Sequence, residues 1–106
     1  MSEAAKIAAL NDHARQTFIG CRVMITQGVQ AIDDLSAVLD QVRRFDRFTS
    51  HNDPYGEHDF GSFLWGDHQA FWKFGYYDLD YSMHSPDPAD ETVTARVLTV
   101  MLAEEY

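Results

Sequence analysis

The densest set of chemistry-capable side chains is His51, Asp53, Glu57, His58 and Asp59. On an extended strand Glu57 and Asp59 project to one face and His58 to the other. A Gly66-Asp67 turn sets Trp65 opposite His68, Phe63 opposite Ala70 and Gly61 opposite Trp72. In that register Glu57 lies opposite Tyr76, with Asp78 and Asp80 nearby on the same face. Glu57, Asp59, Asp78 and Asp80 then converge at the hairpin end away from the turn. Carboxylates so placed raise one another's pKa unless a cation neutralises them, and an all-oxygen donor set suits Mg²⁺, Mn²⁺ or Ca²⁺. The competing reading is that Asp78 and Asp80 begin a loop and point into water.

Other catalytic patterns fail. The chain has no H-E-x-x-H, no C-x-x-C pair, no Walker glycine loop and no G-x-S-x-G. Asp53-Pro54, the acids after it and Lys73 are loosely similar to a nuclease strand pair of carboxylates and lysine. Phe71, however, stands where that pattern needs an acid beside the metal. Cys21 borders a hydrophobic strand, the setting of a buried, inert thiol. His68 and His84 have no evident partners.

The elements that must position these residues follow from periodicity. Residues 2–18 read as a helix, with Ser2 as N-cap and Ile7, Leu10, Ala14 and Phe18 as its apolar stripe; Gly20 stops it. Arg22–Thr26 reads as a strand. A second helix is expected from Asp33 to Phe48, with Leu35, Val38, Leu39, Val42, Phe45 and Phe48 at helical spacing. Its Arg43, Arg44 and Arg47 fit a solvated face better than a phosphate site, and Asp40 is placed to pair with Arg44. The stretch from Ser50 to Asp59 reads as a structured loop leading into the hairpin, ordered by Asn52 or Asp53 side chains and by an unusual backbone angle at Gly56. One hairpin face shows Phe63, Trp65, Trp72, Phe74 and Tyr76 and should meet the helices. The other shows Phe60, Leu64, Phe71 and Tyr77, interrupted by Ser62, Gln69 and Lys73, and is too aromatic for an ordinary wet surface. A final helix is expected from Asp87-Pro88 onward, with Val93, Val97, Val100 and Met101 as its buried stripe. Glu104 and Glu105 would then sit at the unfavourable negative end of its dipole, a cost acceptable if they meet a partner's basic groups.

Charge limits the partners. The 106 residues carry a net charge of -9 and a mean hydropathy of -0.34. Residues 1–52 are balanced, whereas residues 53–106 set eleven acids against Lys73 and Arg96 alone. Such a field repels nucleic-acid phosphates and favours cations or basic protein surfaces. Seven Phe, five Tyr and two Trp exclude a disordered chain. No apolar run suits a membrane span or a signal-peptide core, and the lone Cys21 fits a reducing cytoplasm.

N-D-P-Y-G-E-H-D-F-G (Asn52–Gly61), F-W-K-F-G-Y-Y-D (Phe71–Asp78), R-V-L-T-V-M-L-A-E-E-Y (Arg96–Tyr106) and the opening I-A-A-L-N-D (Ile7–Asp12) resemble an uncharacterised bacterial family catalogued as a domain of unknown function. Gly75 departs from it, since the family more often carries an acid there. The resemblance implies a small bacterial cytoplasmic protein, often from mobile-element contexts, and transfers no catalytic residue.

These readings converge on a single α+β domain over residues 1–106, in the order α-β-α-β-β-α, with a small antiparallel sheet and helices mainly on one face. The expected function is a non-enzymatic, acidic interaction module, an adaptor or inhibitor of a basic, nucleic-acid-binding protein. Phe60, Leu64, Phe71, Lys73, Tyr77, Glu104 and Glu105 are its candidate contacts, with no cofactor, no direct nucleic acid and no membrane. One rival is a hydrolase or nuclease holding Mg²⁺ or Mn²⁺ on Glu57, Asp59, Asp78 and Asp80. Another is a structural homodimer joined through the second hairpin face.

Overall fold

A computed structural model describes residues 2–106. Helix α1 spans Glu3–Thr17, strand β1 Arg22–Ile25, the single turn α2 Gln27–Gln30 and helix α3 Leu35–Arg43. Strands β2 (Phe60–Trp65), β3 (His68–Tyr77) and β4 (Ala95–Leu102) follow, and a 3₁₀ turn covers Ala103–Glu105. The sheet order is β1-β4-β3-β2, with β1 parallel to β4 and the other pairs antiparallel. The α+β class stands. The sheet is mixed rather than antiparallel, and among the described residues no helix is long and apolar enough to cross a membrane.

Helix α1 begins where the Ser2 hydroxyl accepts the Ala5 N–H at 3.1 Å, and ends at Phe18 in the left-handed region, φ 58°. Helix α3 is shorter than its apolar spacing suggests. Asp34 caps its start through the Ala37 N–H. Its end meets Arg15, whose Nη1 donates to the carbonyls of Val42 and Arg43, both at 3.0 Å. A buried guanidinium thus takes the last-turn carbonyls that continued helix would have used. Phe45 and Phe48 still reach the core, but from extended chain beyond the helix.

The largest correction is at the C-terminal end. Residues 95–102 form β4, the strand between β1 and β3, and not a helix. In a segment apolar at nearly every position, helical spacing is met by default and does not discriminate. The two-fold alternation decides instead. Arg96, Leu98, Val100 and Leu102 turn toward the helices, while Val97 and Thr99 turn away. A central strand also finds backbone partners on both edges, which an isolated helix would not need. Asp87-Pro88 begins a tight turn and not a helix, with the Asp87 carboxylate accepting the Ala89 N–H.

The hairpin keeps its expected register, Trp65 opposite His68 and Gly61 opposite Trp72. Trp72 is fully buried, edge-on to Phe45, Phe48 and Phe74, whereas Trp65 is only half-buried beside the turn. Gly61 is required by close approach, because a Cβ there would collide with the Trp72 indole. The core of Val29, Val38, Val42, Phe45, Phe63, Trp72, Phe74, Leu98 and Val100 lies between the sheet and the helices. Among the described residues no α-helix lies over the opposite sheet face, where Tyr106, just beyond the 3₁₀ turn, packs against Phe71 and Lys73.

Candidate functional site

Behind the sheet, the conspicuous loop residues belong to a polar network. Asn11, wholly buried on α1, donates from Nδ2 to the Glu57 carbonyl at 3.0 Å and to the Tyr76 hydroxyl at 2.8 Å. Its Oδ1 accepts from Arg96 Nε at 2.6 Å. Next to it, Asp12 accepts from Arg15 and holds His58 Nδ1 at 2.9 Å. His58 Nε2 faces Asp53 at 3.6 Å, and the ring stacks flat on Phe48, centroids 3.9 Å apart. Both imidazole nitrogens therefore face carboxylates, and the ring fastens the loop to α1.

The loop is ordered in the expected way. Asn52 Oδ1 accepts the Thr49 N–H, Asp53 Oδ1 accepts the His58 N–H, and Gly56 takes φ +70°. His51 is exposed and contributes only its backbone N–H, to Thr49 Oγ1. Arg44 pairs with Asp40 at 3.1 Å on a solvated helix face.

The four carboxylates separate into two networks. Glu57 accepts from the Tyr76 hydroxyl at 3.3 Å, and the charges acting on it are Asp59, Asp53 and Arg96. Burial, then the Asp59 charge, raises the pKa of Glu57; burial also raises that of Asp59. Tyr76 is pushed up chiefly by burial and stays protonated. Asp78 and Asp80 instead close on Ser82 in the exposed turn after β3, where Asp80, then the Met83 and Ser82 N–H groups, lower the Asp78 pKa. Among the described residues no three His, Cys, Asp or Glu side chains are grouped to hold a metal ion. The sheet register was right; the chain bends away at Asp78, so alternation along β3 no longer governs where that carboxylate points.

Glu105 also has a different role. Its carboxylate accepts from Thr26 Oγ1 at 2.6 Å, the Gly28 N–H at 2.9 Å and the Leu102 N–H at 2.9 Å. These bonds, the Thr26 hydroxyl first, hold its pKa below the ordinary value. It sits at the start of α2 and not at the unfavourable end of a helix, and Gly28 leaves the space it occupies. Only Glu104 of the pair is free of such anchoring, lying 4.0 Å from His68 at the surface.

The remaining candidates share the helix-free face. Phe60 and Phe71 pack together at 5.1 Å, and Tyr106 meets Phe71 edge-on while Lys73 Nζ lies 5.0 Å from its ring. Leu64 is 74% exposed, and Tyr77 and Met24 are exposed as well. A mainly apolar groove of about 480 Å³ crosses this face between Arg22, Met24, Val97, Thr99, Tyr77 and Tyr81. Sequence reasoning missed Met24 and Tyr81 because β1 was not known to flank β4. It missed Asn11, Arg15 and Arg96 too. The signal was available for α1, where Asn11 and Arg15 fall on the same face as Ile7, Ala8 and Ala14.

A family model described as "Protein of unknown function (DUF3768)" matches residues 25–105. No curated protein and no solved structure matches the chain.

Proposed function

The chain belongs to the DUF3768 family, and on that footing we propose that it is a protein-interaction module, an adaptor or inhibitor, that docks through the helix-free face of its sheet. One observation carries the reading: among the described residues the helices cover one face, while the other presents Phe60, Leu64 and Phe71 on the hairpin and Met24 and Tyr77 along an apolar groove. Apolar side chains exposed together on one sheet face, interleaved here with Ser62, Gln69, Lys73 and Thr99, suit a contact site of mixed character. The acids Asp78 and Asp80 border the groove side, and Glu104 and Asp67 lie toward the hairpin turn. The fitting partner has an apolar centre and a basic rim.

Leu64→Asp tests this, since it places a charge in the face without touching the core. Partner capture from the native host should be lost in this variant at unchanged melting temperature. Capture by the parent should weaken as salt rises, because rim charges are screened over about 8 Å at physiological ionic strength. Undiminished capture by Leu64→Asp would remove the face from the interaction. Support for a metal-dependent hydrolase is weaker, because Glu57 and Asp59 lie in a different network from Asp78 and Asp80.

A further inference from the structure

The two edges of the sheet are finished differently. At one edge β1 has only 4 residues and begins with a charge, Arg22, and Gln30 Nε2 takes the Ile25 carbonyl at 2.7 Å. At the other edge β2 runs 6 residues, Phe60–Trp65, without a charge, a proline or a bulge. The Phe74 N–H donates to the Asp59 carbonyl at 2.9 Å, which fixes the parity of the ladder. Gly61 and Phe63 therefore exchange their bonds with β3, and Phe60, Ser62 and Leu64 turn N–H and C=O away from it. Among the described residues no backbone group of another segment bonds to those outward groups. Natural edges are blunted by charge, proline, bulges or a covering segment, because a bare edge is a template for another strand.

We propose that the free edge of β2 binds an extended segment of a basic protein partner, which adds to the sheet as a further strand. This rests on the reading of the chain as a protein-interaction module and names how the partner is held. Phe60, Ser62 and Leu64 each offer a backbone donor and acceptor, and the Phe60 and Leu64 side chains offer apolar contact to alternate residues of the incoming strand. Acids stand at both ends of the edge. Half-buried Glu57 and Asp59 precede β2 and exposed Asp67 follows it in the turn, none of them in an ion pair among the described residues. A strand of about six residues covers about 17–20 Å, so Lys or Arg at each end of the segment meets these acids. A second copy fits worse. Antiparallel overlap of two β2 strands centred on Ser62 brings Asp67 of each copy toward Glu57 and Asp59 of the other, like charge against like.

Amide hydrogen exchange on the full chain tests this with a synthetic peptide of about eight residues, Val and Thr alternating between a Lys at each end. At saturating peptide the Phe60, Ser62 and Leu64 amides should gain about tenfold or more in protection, while Gly61 and Phe63, already bonded to β3, change less. Glu in place of the end Lys residues should weaken binding about tenfold or more. Ser62→Pro removes an outward N–H at a strand edge, where proline is tolerated, and should abolish binding at unchanged melting temperature. N-methylation of the peptide's pairing amides should abolish it with the parent protein. No saturable protection of these amides, binding undiminished by N-methylation, or protection that rises with protein concentration without peptide, the mark of a second copy, overturns the proposal. Native-host capture lost in Leu64→Asp but intact in Ser62→Pro also overturns strand addition, while leaving the open face as the docking surface.

Discussion

Asn11→Ala removes the residue that joins α1, the loop before β2, β3 and β4. The side chain is wholly buried and makes hydrogen bonds to the Glu57 carbonyl, the Tyr76 hydroxyl and Arg96 Nε. Neutral bonds contribute about 0.5–1.5 kcal/mol each and one to a charged group about 1.5–3 kcal/mol. The loss is therefore about 4 kcal/mol, against a total stability of about 5–15 kcal/mol for a small domain. Arg96 Nε would be left buried without an acceptor, which keeps the effect from shrinking by relaxation. Urea unfolding reads it directly: with a slope of about 2 kcal/mol per molar, the midpoint should fall by about 2 M at unchanged slope. Gln16→Ala, exposed on the same helix, should stay within about 0.5 kcal/mol of the parent. A loss below about 1 kcal/mol for Asn11→Ala would refute the view that this network ties the elements together.

Three further outcomes follow from the same geometry. Glu57→Gln should raise the melting temperature at neutral pH, because the folded protein holds the Glu57 pKa above its unfolded value; stability falls as pH rises through that raised value, and the variant's gain should vanish below the ordinary glutamate range, in melts run from about pH 3 to pH 8 at steps of about 1 unit. Glu105→Gln should lower it, with the parent's advantage present above the ordinary glutamate pKa and lost as pH falls through the lower folded value; equal melting at neutral pH would contradict the anchoring role. Gly61→Ala should cost about 1–3 kcal/mol in urea unfolding, since the Trp72 indole must move, and a neutral result would mean the β2–β3 packing differs.

Local rules read the parts of the chain that local chemistry decides. Ser2 capping α1, the Gly66-Asp67 turn, the hairpin register and the ordered Asn52–Gly56 loop are all set within a few residues, and all were legible. The identity of β4 was not, because Val97, Leu98, Val100 and Met101 satisfy helical spacing and strand alternation alike; the partner strands on both sides decide. The same tertiary contacts govern the site. Asp78 leaves the sheet for Ser82, Glu105 is claimed by Thr26 and Gly28, and Arg96 meets Asn11 from the far end of the chain. The aromatic outer hairpin face, by contrast, was visible from parity alone, with Phe60, Leu64, Phe71 and Tyr77 on alternate positions of adjacent strands.

Site-specific photo-crosslinking in the native host tests the docking face most directly. A photoreactive residue replacing Leu64 on the open face should capture a discrete protein of basic character, while the same residue at exposed Gln41 on α3 should not. Crosslinking from position 41 and not from position 64 would contradict the account. A product at twice the mass of this chain from position 64 would instead identify a second copy as the occupant and contradict the basic partner.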